Sequence, residues 1–108
     1  MERRGNEFHV FVSMVEFFAD NIIRREYVEP ALDELNAGID RIIFKAKGQA
    51  INVAVRAALM LDKIMGVMQK HVSISSEPAS PTREHRGNDG GQKQDRRISA
   101  IEISMQRF

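Results

Sequence analysis

Hydrophobic and polar positions change period several times along the chain, and each change marks an element. Across Glu7–Ser13, Phe8, Val10 and Val12 fall on one side and His9, Phe11 and Ser13 on the other, the alternation of a strand. Ile23, Tyr27, Ala31 and Leu35 then recur every four residues, with Val28 and Leu32 beside them, and predict a helix over Ile22–Ala37. Asp20 or Asn21 suits its N-cap, and Asn36-Ala37-Gly38 suits its end. Pro30 is discordant: either the helix kinks there, or its regular part begins near Glu29 with the proline in its first turn. Before this helix, Met14–Asn21 is largely apolar without a clear period, and fits a strand extension, a helical turn or an apolar flap.

Arg41–Ala46 reads as a second strand, whose unbroken Ile42-Ile43-Phe44 run fits a position covered on both faces. Gln49–Met68 is the clearest helix. Ile51, Val55, Ala58, Leu59, Leu61 and Met65, joined by Ala54 and Ile64, are its expected apolar face, and Gly66 interrupts it late. Lys70–Ser76 alternates as a third strand, with His71, Ser73 and Ser75 opposite Val72 and Ile74. Glu77–Asp95 holds Pro78, Pro81, Gly87, Gly90, Gly91 and many charges without any period, and predicts a long flexible loop. Arg97–Gln106 returns as a strand. The order β-α-β-α-β-β predicts a two-layer α/β sandwich, a single domain over residues 1–108, with the loop at 77–95 joining the last two strands.

A chain of 108 residues buries about 65 % of its unfolded surface, enough for one modest core. It has no cysteine, which removes disulfides, thiolate nucleophiles and thiolate metal sites. No apolar run reaches the ~18 residues of a membrane span, and Met1–Asn6 has no signal-peptide core. A soluble intracellular protein is the expectation. Sixteen Lys and Arg against fifteen Asp and Glu leave a net charge of only +1. A site for a polyanion must therefore come from local segregation of charge.

Such segregation occurs at Arg41–Ile51. There an apolar strand ends in Lys45-Ala46-Lys47, turns at Gly48 and enters a helix through Gln49-Ala50-Ile51. Lys45 and Lys47 fall on one side of the strand if it extends that far, beside a helix N-terminus that favours anions. Gln49 and Asn52 follow at the helix start, and these four are candidate contacts to phosphate and sugar.

The same stretch resembles the Lys-Ala-Arg-Gly-Arg-x-Ile turn of the Alba superfamily of archaeal chromatin proteins and their RNA-binding relatives. Ala54-Val55 continue the match. Upstream, Tyr27-Val28, Ala31-Leu32 and Leu35-Asn36-Ala37-Gly38 resemble that family's first helix and its exit. Downstream, Arg96-Arg97-Ile98-Ser99-Ala100-Ile101-Glu102-Ile103 resembles its last strand. The resemblance implies a βαβαββ fold, a homodimer or a heterodimer with a related Alba-like protein, and binding to DNA or RNA through the backbone with little sequence preference. A cytoplasmic, chromosome-associated location follows, or a nuclear one in a eukaryote. Two departures stand out. The family's basic turn before the first helix is replaced by Met14–Asn21, which leaves Arg24 and Arg25 as the nearest basic substitutes. Acetylation control at that turn therefore does not carry over. Gln49 and Val53 stand where basic side chains are common, so the central surface is less cationic.

The loop adds Arg83, Arg86, Lys93, Arg96 and Arg97 as candidate nucleic-acid contacts, interspersed with Glu77, Glu84, Asp89 and Asp95. A solvated loop that orders on contact with nucleic acid accommodates both signs. Met60, Ile64 and Met65 crowd the end of the second helix and suit a subunit contact, methionine being an adaptable filler. His9, His71 and His85 lack metal-ligand spacing, and the serines lack a nucleophile elbow. Neither a catalytic constellation nor a nucleotide-binding loop is found, so an enzyme, a cofactor and a metal are not expected. The expected function is sequence-tolerant DNA or RNA binding by a dimer. The alternative is a protein-contact subunit of a ribonucleoprotein, such as a ribonuclease P-type complex.

Overall fold

The computed structural model describes residues 1–13, 19–66, 68–78 and 97–107. The loop candidates Arg83, Arg86, Lys93 and Arg96, the loop itself over 79–96, and residues 14–18 of the ambiguous segment Met14–Asn21 lie outside the described residues.

Five strands form one sheet: β1 (Glu2–Arg4), β2 (Glu7–Phe11), β3 (Arg41–Lys47), β4 (Gln69–Pro78) and β5 (Arg97–Gln106), in the order β1-β2-β3-β5-β4. The neighbours β2 and β3 run parallel and every other pair is antiparallel. A helix must therefore connect β2 to β3. That helix has three parts: α1 (Asp20–Ile23), a π-helical turn (Arg24–Val28) and α2 (Glu29–Asn36). A last helix, α3 (Ala50–Met65), follows β3.

The predicted order is met, with β1 added at the front. Glu2-Arg3-Arg4 carries no apolar residue and gives no strand signal. It is held by the ladder to β2, by a turn at Gly5 with φ 59°, and by an ion pair from Arg3 to Glu34 at 2.6 Å. Pro30 takes the second of its two alternatives and lies in the first turn of α2. The N–H of Glu29 donates to the Arg24 carbonyl five residues back, and the proline that follows has no N–H to place.

Phe8, Val10 and Val12, Ile42, Phe44 and Ala46, and Ile101, Ile103 and Met105 share the sheet face that meets Ile23, Tyr27, Val28, Leu35 and α3 in one core. Gly66, at φ 86°, follows the end of α3, which stops three residues before the expected Met68. Its buried side is Ala50, Val53, Ala54, Ala57, Ala58 and Leu61. Val55, Leu59 and Ile64, expected in the core, are instead exposed. Apolar residues encircle much of this helix, so periodicity does not single out the face on which four alanines permit close approach to the sheet.

The alternation in β4 is as expected, but its apolar side is not covered. Val72 and Ile74 register against Ile103 and Ile101, and so share the helix-side face. They lie on the outermost strand, 51 % and 72 % exposed. Ile43, on the uncovered face of the sheet, is nevertheless buried between its register neighbours His9 and Ser104, without a second layer.

Candidate nucleic-acid interface

The strand β3 continues to Lys47, so Lys45 and Lys47 share the uncovered face, about 7 Å apart along the strand. Gly48 then turns the chain with φ 58°, a conformation that side chains disfavour. Its N–H donates to the Ser99 carbonyl at 2.8 Å, and its carbonyl accepts from Ile51 N–H at 3.1 Å. The turn is thus fixed to β5 on one side and to the first turn of α3 on the other. Gln49 is the N-cap of α3 and its side chain makes no capping bond.

Around this turn lies an open concavity of about 800 Å³. Lys45, Lys47 and Gln49 line it, together with Phe11, Ser13, Ser73, Ser75, Glu77 and Glu102. Neither lysine stands alone. Lys47 Nζ is 2.9 Å from Glu77 Oε1, and Lys45 Nζ sits 5.7 Å from the centroid of the Phe11 ring, a cation–π distance. Lys45 also registers against Glu102 on β5. Two ammonium groups and two carboxylates therefore share the concavity.

The other predicted residues are dispersed. Asn52 is exposed on the first turn of α3 but does not line the concavity. Arg97, at the base of the β4–β5 hairpin, donates through Nε to Ser76 Oγ and through Nη2 to the Ser76 carbonyl, both at 2.9 Å. Arg24 and Arg25 line a different hollow, between the π-helical turn and α3, with Asp20, Glu29, Met60, Lys63 and Ile64. Val53 is buried, so its lack of charge does not alter the surface. Of the expected subunit-contact residues, Met60 and Met65 are partly buried against the core and Ile64 is exposed.

A second apolar surface was not singled out in the sequence. Arg56 pairs with Asp20 at 2.9 Å, which turns that flank of α3 toward α1. Asp62 accepts from Met68 N–H and from Lys70 Nζ, each at 3.0 Å, which turns the opposite flank toward β4. The Met68 N–H first, and then Lys70, hold the Asp62 carboxyl below its ordinary range. Ile51, Val55 and Leu59 recur at four-residue spacing on this second flank, Ile51 packed partly against the core and Val55 and Leu59 exposed; Val72 and Ile74 of β4 are likewise bare. Their exposure is the signal, and it is visible only once the core face of α3 is known.

His9 is 5 % exposed on β2. Its Nε2 lies 3.1 Å from Glu7 Oε1, while Nδ1 has no partner among the described residues. Among the described residues no group of three or more His, Asp or Glu side chains is arranged to hold a metal. No described helix is long and apolar enough to cross a membrane.

Comparison with known proteins agrees with the geometry. The sequence model of the Alba family matches residues 24–76, from the π-helical turn into β4. The solved structure of Alba from Thermoplasma volcanium is similar with a TM-score of 0.64, covering 92 % of this chain and 99 % of that one, at 21 % identity. The family match is centred on the lysine-bearing turn and the fold is shared along nearly the whole chain: residues 24–76 carry the Alba-family sequence, on an Alba fold.

Proposed function

We propose that the protein binds DNA or RNA through the sugar-phosphate backbone, with little sequence preference, as a dimer. The observation that carries this reading is the Lys45-Ala46-Lys47-Gly48 turn, which sets two ammonium groups beside the N-terminus of a 16-residue helix. The family match points the same way. Contacts of this kind position a nucleic acid without reading its bases. Arg97, at the base of the β4–β5 hairpin, is proposed as a further backbone contact, as are the loop cations Arg83, Arg86, Lys93 and Arg96. The exposed Val55, Leu59, Val72 and Ile74 favour a subunit contact, because large apolar side chains left bare in this number on so small a chain gain from being covered. The test is an anisotropy titration with duplex DNA and with RNA across salt concentrations. Binding that weakens linearly in log–log form supports the reading, and no binding at low salt overturns it.

A second reading is favoured by the balanced charge in the concavity together with that same apolar face. In it, the protein is the protein-contact subunit of a ribonucleoprotein and binds RNA only beside a partner, a related Alba-like chain among the candidates. Light scattering and titration with and without such a partner separate the two readings. A chain that binds nucleic acid alone excludes the second.

A further inference from the structure

We infer that the concavity beside Gly48 accepts an unpaired nucleobase, stacked on Phe11, so that the favoured ligand is a single-stranded segment. The inference rests on the nucleic-acid reading above and deepens it. Phe11 ends β2 on the uncovered face of the sheet, opposite the core residues Val10 and Val12. It is 49 % exposed, although half-exposed aromatic surface gives up burial that the core side of the same strand achieves. Lys45 Nζ lies over the ring at 5.7 Å and leaves the rest of that surface to solvent.

The charge inventory separates a base site from a phosphate cradle. A groove that only tracks phosphates is served by cations alone. Here Glu77 and Glu102 line the same hollow as Lys45 and Lys47. Carboxylates repel phosphate but accept hydrogen bonds from the amino groups of bases, and the Gln49 carboxamide offers both donor and acceptor. A volume of about 800 Å³ is in the range of clefts that hold small-molecule-sized groups. Bases of an intact duplex are already stacked on each other and do not reach such a ring. An unpaired base does, with its phosphate directed toward the lysines.

The chain contains no tryptophan, so Phe11→Trp introduces a single indole reporter at the ring position. The probes are a single-stranded oligocytidylate, the matching oligodeoxycytidylate, an abasic strand of equal length and charge, and a duplex. The wild type is expected to bind the single strands more tightly than the abasic strand. Phe11→Leu is expected to lose roughly 5- to 100-fold on the base-bearing strands, the cost of one base–aromatic stack, with duplex and abasic binding held within about twofold. Indole emission in Phe11→Trp is expected to be quenched by base-bearing strands and not by the abasic strand. Comparison of the ribo and deoxy arms, which share one base and differ only in the 2′-hydroxyl, assigns the site to RNA or DNA. Equal losses by Phe11→Leu on all probes, or wild-type binding as tight to the abasic strand as to the others, overturn the stacking site while leaving backbone binding intact. No binding of any probe by the wild type overturns backbone binding and the stacking site together.

Discussion

Lys47 Nζ and Glu77 Oε1 stand 2.9 Å apart, joining β3 to β4 across the intervening strand β5. Lys47 registers against Ala100 on β5 and Glu77 two residues along against Ile98, so the pair runs diagonally over β5, past the small side chain of Ala100. The cation nearest the turn is thus held by an internal carboxylate that competes with any anionic ligand.

Replacing Glu77 by Gln frees that cation. Exposed ion pairs contribute about 0–1 kcal/mol, so affinity for an anionic strand is expected to rise by up to about fivefold at low salt, with little change in melting temperature. Anisotropy titration of Glu77→Gln against wild type reads this directly. Weaker binding would show that the Glu77 carboxylate meets the ligand itself rather than holding Lys47 from it.

Lys45→Ala and Lys47→Ala are expected to weaken binding and to flatten its salt dependence. Every phosphate left without its cation lowers the log–log slope by roughly 0.9 on duplex DNA. Lys45→Ala is also expected to lower affinity for base-bearing single strands further, because it removes the cation over the Phe11 ring.

At Gly48, φ is 58° and a Cβ would approach Ile98 Cδ1 to 3.1 Å. Gly48→Ala is therefore expected to destabilise the fold by about 1–2 kcal/mol, mainly through the left-handed backbone conformation, since the isoleucine tip has freedom to move. Thermal unfolding followed by circular dichroism measures it. An unchanged midpoint would mean that the turn relaxes into another conformation.

Asp62 sets a pH dependence. Its folded pKa lies below that of the unfolded chain because Met68 N–H and Lys70 favour the carboxylate. The contribution is fully present above the ordinary aspartate range near pH 4 and is lost as pH falls through the depressed folded value. Asp62→Asn is expected to lower stability at neutral pH and to make acid unfolding less steep below about pH 4. Parallel acid profiles for variant and wild type would remove Asp62 from the account.

Leu59→Lys and Ile74→Lys place charge on the exposed apolar face and are expected to convert a dimer to a monomer without unfolding it, because both side chains are more than half exposed. Light scattering at micromolar concentration, together with circular dichroism, separates dissociation from misfolding. A variant that remains dimeric would place the subunit interface elsewhere, with Ile64 the next residue to substitute.

The elements legible in the sequence were those whose apolar positions keep a period. Phe8, Val10 and Val12 alternate, Ile42–Phe44 run unbroken, and Asn36-Ala37-Gly38 ends its helix, each where the structure has them. β1 was hidden because Glu2-Arg3-Arg4 has no apolar side; its pairing to β2 is a tertiary fact. The face of α3 was drawn too wide because apolar residues surround that helix: Ala54, Ala58 and Leu61 are inside as expected, while Val55, Leu59 and Ile64 are left out and Val53 and Ala57 complete the buried side. The lysines of the turn were legible from their two-residue spacing. Their partners Glu77 and Phe11 were not, since they arrive from distant strands and meet only through the register of β5 and β2.

The three-residue strand β1 has a consequence for assembly. It closes the β2 border with a short, charged ribbon that is a poor template for further chains. The β4 border, ten residues long, carries no such cover among the described residues. Growth by strand addition has one available side per molecule, so two copies that meet through it exhaust their valence. The architecture favours a finite pair over an open filament.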